Sequence, residues 1–442
     1  MAYGGGIFSI KNKILPGSYI NFVSTGNVDA NVSERGVVAV CHAMGWGKKG
    51  ITVLTKEDFQ KNCATYFAYP CTDRNMKFLR EIFQYSSKVI LYNCNESVRK
   101  AANTYGESRY PGYAGNLISI EVLQNHDSSF TVTTYFINTA VDVQKVRTAA
   151  QLADNGYVVF NKDADLDDTQ RGGLVMTGGV TEFTPAAYVA FLNAIESYSF
   201  NVLCCDIEPN DDPEDTDAVT RKMFVEYTKR RRDSDGVKFQ LVIMDEAADY
   251  EGVISLKNEY GGTDKTELVY WVSGVCAGMT AGQSAMNLKY DGECELDKIS
   301  ADYTGAELEN FIKNGYFVLH RANDEIRVLS DINSLVTVTD TKGSVFKQNQ
   351  TIRICDQIAN DIALLFNTKY IGRVPNDKAG RLSLWSDIVR FHEQLEELRA
   401  IEDFKEDDII VERGDTKTSV VVYEAINVVN GMGQLYMTVT VV

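Results

Sequence analysis

The chain has 442 residues, of which 44% are hydrophobic and 24% are charged, and 44 Lys and Arg against 61 Asp and Glu leave a net charge of −17. A single hydrophobic core rarely extends past roughly 250 to 300 residues, so we expect several domains. The acidic balance argues against general nucleic-acid binding and against adhesion to an anionic membrane, because both need basic surfaces.

Targeting and cysteine patterns predict synthesis in a cytosol. Residues 1–17, MAYGGGIFSIKNKILPG, lack the charged and apolar regions of a signal peptide, and no apolar run is long enough to span a membrane. The nine cysteines are scattered and contain no CxxC pair. We therefore expect buried, reduced thiols rather than a zinc ribbon or a disulfide framework.

Residues 1–25 predict an N-terminal arm rather than part of a core. A glycine triplet is followed by IFSI and PGSYINFVS, and a short strand is expected at 18–24. The polar stretch TGNVDANVSERG separates this strand from the next apolar run. Such a spacer is poorly suited to core packing and well suited to reaching a neighbouring chain.

Two domains are predicted between the arm and residue 183. Residues 26–94 alternate strands and helices, from GVVAVCHAM and ITVL through KEDFQKNCATYF and NMKFLREIFQYS to KVILYNC, as in a small α/β domain. Residues 95–183 change to short strands, NLISIEVL, SFTVTTYFI, VDVQKV and YVVFN, separated by turn-rich stretches. This change of period predicts an inserted β-rich domain.

Residues 184–338 return to an α/β pattern. The runs NVLCCD, KFQLVIM, ELVYWV and YFVLHR are typical of strands buried on both faces, with helix signals between them. A mainly parallel sheet with covering helices follows from this order. Over the whole chain we predict a multidomain fold of the α/β and α+β classes.

Residues 339–442 predict two helices followed by a β-hairpin. Ile354, Ile358, Ile362 and Phe366 repeat every four residues along the first helix, and the second helix is expected to bury Trp385, Ile388, Val389, Leu395 and Leu398. The hairpin joins SVVVYEAINVV through NGMG to QLYMTVTVV. That last strand has no Lys, Pro or bulge to protect its edge, so it either pairs within the fold or recruits another chain.

Signatures of catalysis or cofactor binding are weak. GQSAM at 282–286 lacks the second glycine of a nucleophile elbow, and RGGLVMTGG at 171–179 lacks the GK[ST] of a phosphate loop. Each of the four histidines has a structural explanation, although a triad assembled in space is not excluded by sequence order. We predict no catalytic residue, no cofactor and no metal ligand.

Two charged runs also favour structural roles. DIEPNDDPEDTD at 206–217 is interpreted as a solvated acidic loop, with a weak calcium site as the alternative, because Asp211 replaces the glycine that an EF-hand requires. KRRR at 229–232 is expected to end a helix, where cations complement the helix dipole.

Strand-forming segments at both ends of a chain without catalytic signatures indicate β-strand addition between subunits. A nine-residue strand spans about 30 Å. Four or five net ladder bonds of about 1 kcal/mol each, with apolar burial, make one exchanged strand worth several kcal/mol. Repetition of that contact would build a polymer.

The sequence resembles the contractile tail sheath proteins of phages and R-type bacteriocins, especially those of Gram-positive phages. The resemblance rests on PGSYINF, on RGVVAVCHAMGWGKKGITVLT at 35–55, on YPGYAGNLISI at 110–120 and on the block that begins with NTKYIGRVPNDKAGRLSLWSDIVRFHEQLEELRAIEDF at Asn367 and continues through the C-terminal strands. It covers essentially the whole length, and the C-terminal block is its most specific part.

The resemblance implies stacked rings of subunits around an inner tube, with baseplate and tail-terminator proteins as further partners, no nucleic acid and no membrane insertion. It implies that the α/β domain is subtilisin-like without catalytic residues and that the inserted domain faces outward. Strands of the arm and of the C-terminus would complete a neighbour's C-terminal hairpin. A baseplate signal would start contraction without nucleotide, and the particle would be a phage tail or a released bacteriocin made in a bacterial cytoplasm.

The resemblance also supplies candidate site residues. For strand exchange they are Ser18, Tyr19, Ile20, Asn21, Phe22, Val23, Val420, Val422, Ile426, Val428, Leu435, Met437, Val439 and Val441. For the tube-facing surface they are the cations around the inter-helix loop, Lys369, Arg373, Lys378 and Arg381, although exposed loop cations are common. A hydrolase built on the α/β domain and a tube or sheath that does not contract are the alternatives.

Overall fold

The computed structural model describes residues 32–210, 212 and 214–441, so the predicted arm strand at 18–23 lies outside the described residues. The chain divides into two compact units, one made of residues up to 39, 81–88 and 195–442, and the other of 40–80 and 89–194. The four domain boundaries drawn from the sequence stay a prediction.

The start of the described chain alternates strands and helices. Its elements are β1 (Val37–His42), β2 (Gly50–Thr55), α1 (Lys56–Phe67), α2 (Lys77–Phe83) and β3 (Lys88–Asn93). Thr55 and Asp58 form a capping box at the start of α1, each side chain accepting the other's backbone N–H. These elements match the predicted ones in type and order.

Antiparallel strands follow, as the change of period predicts. One sheet contains β4 (Ala102–Asn103), β5 (Gly106–Ser108) and β9 (Val158–Phe160). The other has the order β10 (Leu174–Val175), β6 (Ile118–Gln124), β7 (Phe130–Phe136) and β8 (Thr139–Val146). Helix α3 (Ala186–Ile195) comes next.

A parallel sheet forms the centre of the larger unit. Strands β11 (Val202–Cys205), β12 (Gln240–Met244), β13 (Val253–Leu256) and β14 (Tyr316–Phe317) pair in parallel, each with the next. Helices α4 (Thr216–Lys229), α5 (Leu268–Gly278) and α6 (Gly305–Lys313) lie between them in the chain, and β15 (Leu319–Ala322) and β16 (Glu325–Val328) form an antiparallel pair. The predicted mixed α/β organisation is present.

One predicted strand of this region is wrong. ELVYWV begins helix α5, in which every residue from Leu268 to Ala277 is buried. A short apolar run that is buried on all sides gives no periodicity, so it does not distinguish a core helix from a core strand. The strand that was missed is β13, Val253–Leu256.

The C-terminal region contains the two expected helices, α7 (Asn349–Leu365) and α8 (Lys378–Glu397). Ile354, Ile358, Ile388 and Leu395 are buried between elements of this region, whereas Leu398 is 47% exposed and was wrongly expected to be buried. Asp377 caps α8 by accepting the Gly380 N–H.

The hairpin predicted through NGMG is wrong. Four short strands follow α8: β17 (Ile401–Glu402), β18 (Ile409–Arg413), β19 (Val420–Glu424) and β20 (Asn427–Val428). β19 pairs with the upstream β18, and β20 pairs with β17. The hairpin turn is therefore at 414–419, and residues 431–441 have no regular secondary structure. No described helix is long and apolar enough to cross a membrane.

Candidate subunit interface in the C-terminal region

The C-terminal segment exposes apolar side chains in sequence. Leu435, Tyr436, Met437, Val439 and Val441 are 86, 87, 75, 69 and 91% exposed. Within the described residues, 434–441 form no strand pair. Isolated exposed apolar residues are ordinary, but a largely apolar segment with both faces in solvent is typical of an interaction surface.

The root of this segment is fixed to α7. The Gly431 N–H donates to Gln350 Oε1 at 3.0 Å, and the Asn430 amide exchanges hydrogen bonds with the Thr351 hydroxyl at 3.1 and 3.2 Å. The Val429 N–H donates to the Ala400 carbonyl at 2.9 Å. The segment therefore leaves the body of the protein immediately after a held position.

Strands β18 and β19 have a buried face and an exposed face. Ile409 is buried, and Val411 and Val420 pack with it against Leu365 and Ile388. On the exposed face lie Ile410 and Tyr423, which are 50 and 59% exposed. Among the described strands these two pair only with each other, so no described strand covers the outer edge of either.

The structure separates the predicted strand-exchange residues into two groups. Val420, Ile426 and Val428 pack against the protein's own core, and Val422 is partly exposed. Leu435, Met437, Val439 and Val441 contact solvent. Ser18 to Val23 lie outside the described residues. Strand β18 was not predicted from the sequence, although the apolar run IIV at 409–411 and the turn residues RGDTKTS at 413–419 are typical of a strand that enters a hairpin.

Helix α7 has a buried polar face that sequence reasoning also missed. Arg353 Nη2 lies 2.5 Å from Asp331 Oδ2, and both side chains are essentially inaccessible to solvent. Asn349 donates to Asp331 and accepts from Gln240. The signal was present, since Arg353, Asp356 and Asn360 recur at helical spacing away from the isoleucine stripe.

A second buried ion pair corrects the interpretation of the KRRR run. The Arg232 guanidinium binds the carboxylate of Asp356 on α7 through two nitrogens, at 2.6 and 2.9 Å. Arg231 is also buried and pairs with Asp235 at 2.9 Å. Only Lys229 and Arg230 keep substantial exposure, so this run joins elements of the interior rather than only ending a helix.

Burial and neighbouring groups together shift the pKa values of the ionisable groups in this polar interior. Burial alone would raise the pKa of Asp331, but the charge and hydrogen bonds of Arg353, with donors from Ala285 and Asn349, hold it below the ordinary value. Burial, followed by the nearby charge of Arg353, lowers the pKa of Arg35 to about 10. For Asp361, burial raises the pKa, although Ser33 and Gln357 donate hydrogen bonds to it.

The four cations of the inter-helix loop differ in availability. Lys369 Nζ lies 2.6 Å from the buried carboxylate of Asp387. Arg373 donates to the Thr368 carbonyl, and Arg381 donates to Asn376. Lys378 is exposed at the start of α8. Three of the four cations thus have intramolecular partners, and their tube-facing role stays a prediction.

The serine of GQSAM is part of the same polar interior. Ser284 Oγ lies 3.4 Å from Asp331 Oδ2, and that carboxylate already binds Arg353 and the Ala285 N–H. An ion-paired carboxylate in this position stabilises the loop, which is a structural use of the serine. The described residues contain no cluster of His, Cys, Asp and Glu that could hold a metal ion.

Two family models match the larger part of the chain. Residues 181–334 match the phage tail sheath protein central domain, and residues 341–442 match the phage tail sheath C-terminal domain. A phage-like element PBSX protein of Bacillus subtilis is 30% identical over 99% of both chains.

Solved structures show the same similarity. The sheath tail protein of Desulfitobacterium hafniense superposes with a TM-score of 0.78 at 25% identity, over 93% of this chain and 100% of that one. The helical sheath of the anti-feeding prophage, solved in its contracted state, shares the fold with a TM-score of 0.54 at 13% identity, over 97% of this chain and 99% of that one.

Proposed function

The chain belongs to the phage tail sheath family, a family of structural proteins, and on that premise we propose that its subunits polymerise around an inner tube and contract to drive the tube through a target cell envelope. The observation that supports this most directly is the C-terminal segment. An exposed, uncharged, strand-patterned segment is fixed at Gly431, and the same C-terminal region contains a hairpin whose outer edges pair with no described strand.

Strand addition explains both features of this region at once. In a neighbouring copy, residues 434–442 would supply the missing partner for an outer edge of β18 or β19, with Leu435, Met437, Val439 and Val441 on one face. The N-terminal residues Ser18 to Val23 would supply a further strand. Each added strand satisfies backbone groups that water otherwise satisfies, and it buries apolar surface.

The magnitudes favour a repeated assembly over an isolated pair. One strand supplies several kcal/mol, from about 1 kcal/mol for each net ladder bond plus apolar burial. Association of two bodies costs an estimated 4–15 kcal/mol in lost freedom. A single exchanged strand is therefore marginal, whereas a subunit that donates and receives strands with several neighbours gains from multivalency.

We further propose that the parallel sheet β11–β14 belongs to a subtilisin-like domain that serves as a scaffold. The ion-paired surroundings of Ser284 support a structural role for the serine that the hydrolase alternative would need. Contraction would need no nucleotide, because the difference in contact between two packings of the same subunits supplies the work. The inner tube protein, the baseplate and the tail terminator would be the partners in a phage tail or an R-type bacteriocin.

The first test compares the full chain with a chain that ends at Gly433, by negative-stain electron microscopy at matched concentrations with and without inner tubes. We expect cylinders from the full chain and dispersed particles from the truncated one, because truncation removes the exposed segment that is proposed to pair with a neighbour. Cylinders of equal length and number from both chains would contradict strand exchange by this segment. Cylinders that never shorten when a baseplate signal or mild denaturant is applied would favour the sheath that does not contract.

A further inference from the structure

The segment that leads from the N-terminal arm into β1 is held on the C-terminal helices by polar contacts. Ser33 donates its backbone N–H and its hydroxyl to the two oxygens of Asp361, at 3.0 and 2.6 Å. The Gln357 amide donates to the Ser33 carbonyl and hydroxyl, at 3.1 and 2.8 Å, and to Asp361 at 2.5 Å. We call Ser33, Gln357 and Asp361 the arm latch.

Two flanking contacts extend the arm latch. The Val32 N–H donates to Gln394 Oε1 on α8 at 3.0 Å, and Arg35 Nε donates to the Met279 carbonyl at 3.0 Å. Val32 also packs against the apolar cluster that contains Ile358 and Phe391. The incoming chain is thus held by side chains and not by strand pairing.

A buried carboxylate destabilises a protein unless hydrogen-bond donors surround it, so Asp361 on α7 needs the donors that Ser33 and Gln357 supply. Its side chain is 7% exposed, and burial raises its pKa despite the hydrogen bonds of Ser33 and Gln357. Aspartate is also among the weaker residues for a helix interior. The two oxygens of Asp361 are used for one exposed residue of the linker, so the cost is explained if the linker must be fixed at that residue.

We propose that Gln357 and Asp361 are positioning residues for strand exchange: they fix the point at which the N-terminal arm leaves the subunit. This inference rests on the proposed function. Strand β1 begins at Val37, and Arg35 and Gly36 are held separately by Met279 and Asn201, so release of the arm latch and of the Val32 contact would free residues 32–34 and lengthen the tether by at most about 11 Å at 3.3–3.6 Å per residue.

The same helix holds the root of the other exchanged segment. On α7, Gln350 binds Gly431 and Thr351 binds Asn430. Gln350 lies seven residues before Gln357, which binds Ser33. At 1.5 Å per residue the two roots are about 10 Å apart along the helix axis. Helix α7 therefore fixes the distance between the points at which the two arms leave the subunit. In the proposed assembly, the spacing of neighbouring subunits depends on both tethers having fixed lengths.

The test uses Asp361→Ala and Ser33→Ala, with Glu34→Ala as the control because that neighbouring side chain is exposed and outside the arm latch. In the isolated subunit we expect amide exchange at Ser33 to be at least 10-fold faster in Asp361→Ala than in the wild type. In cylinders we expect a longer or less regular axial repeat in both variants and no change in the control.

A compensating deletion separates positioning from folding. Removal of residues 29–31 from Asp361→Ala shortens the tether by the three residues that unlatching adds, so the wild-type repeat should return. Failure of the deletion to restore the repeat, or a wild-type repeat in Asp361→Ala itself, would overturn the inference. If wild-type subunits form no cylinders, the proposed function fails, while unchanged exchange at Ser33 would separately refute the arm latch.

Discussion

Two regions of this protein depart from the rule that apolar side chains lie inside and polar ones outside, and they do so in opposite directions. The polar face of α7 is buried, and its groups have partners: Arg353 binds Asp331, and Asp356 binds Arg232. Residues 434–441 are largely apolar and exposed. A buried polar group must find its partners inside the subunit, whereas an exposed apolar segment can obtain its partner from another chain.

The two kinds of contact are completed in different places. The α7 contacts join the C-terminal helices to the α/β region within the subunit, and they are finished in the folded monomer. In the proposed assembly, a neighbouring subunit completes the contacts of the terminal segment. Substitutions in α7 should therefore change the stability of the subunit, and substitutions in the segment should change association.

The largest effect is expected for Arg353→Ala. Removal of Arg353 leaves the buried Asp331 carboxylate without an opposite charge, so the free energy of unfolding should fall by roughly 3–5 kcal/mol. Urea denaturation of the isolated subunit measures this change. As a control, Lys313→Ala removes an exposed ion pair with Glu309 and should leave the midpoint unchanged. A similar midpoint for both variants would show that the buried pair is dispensable.

Val439→Asp should act on assembly and not on folding. A charge on the apolar face of the segment must be buried when the strand pairs, so the concentration needed for cylinders should rise by roughly 10-fold or more. Thr438→Asp places the same charge on the opposite face of the predicted strand and should have the smaller effect. Light scattering against protein concentration measures both. Equal effects would mean that the segment does not bind as a strand with one buried face.

The sequence predicted the apolar contacts of the C-terminal region better than the polar ones. The period of Ile354 and Ile358 is a local property, and both residues are buried as predicted. The partners of Arg353 and Asp356 come from Asp331 and Arg232, which are distant along the chain, so no local pattern reveals them. The predicted hairpin was wrong for a related reason. A turn at 414–419 precedes β19 and NGMG follows it, and because both contain glycine, the local sequence does not show which of them joins β19 to its partner strand.

The pH dependence of stability should have opposite signs for two carboxylates that contact or belong to α7. The folded pKa of Asp331 is lowered, so its contribution is present above the ordinary value of 3.8 and is lost as the pH falls through the folded value. The folded pKa of Asp361 is raised, so its contribution is present below 3.8 and is lost as the pH rises through the folded value.

Asp331→Asn and Asp361→Asn isolate these contributions. Below about pH 4, the stability difference between wild type and Asp331→Asn should shrink as the pH falls. Above about pH 4, the stability of the wild type relative to Asp361→Asn should increase as the pH falls. Urea midpoints across these two ranges measure both slopes. Slopes of the same sign would mean that Arg353 does not control the ionisation of Asp331.

The smallest effect is expected for the stability of the chain that ends at Gly433. Residues 434–441 have no strand partner among the described residues, so their removal should change the free energy of unfolding of the isolated subunit by less than about 0.5 kcal/mol. A chain that ends at Val428 also loses the contacts of Val429, Asn430 and Gly431 with Ala400 and α7 and should be measurably less stable. If the two truncations destabilise the subunit equally, the segment packs on its own subunit, and its exposed apolar residues would no longer indicate a neighbouring chain.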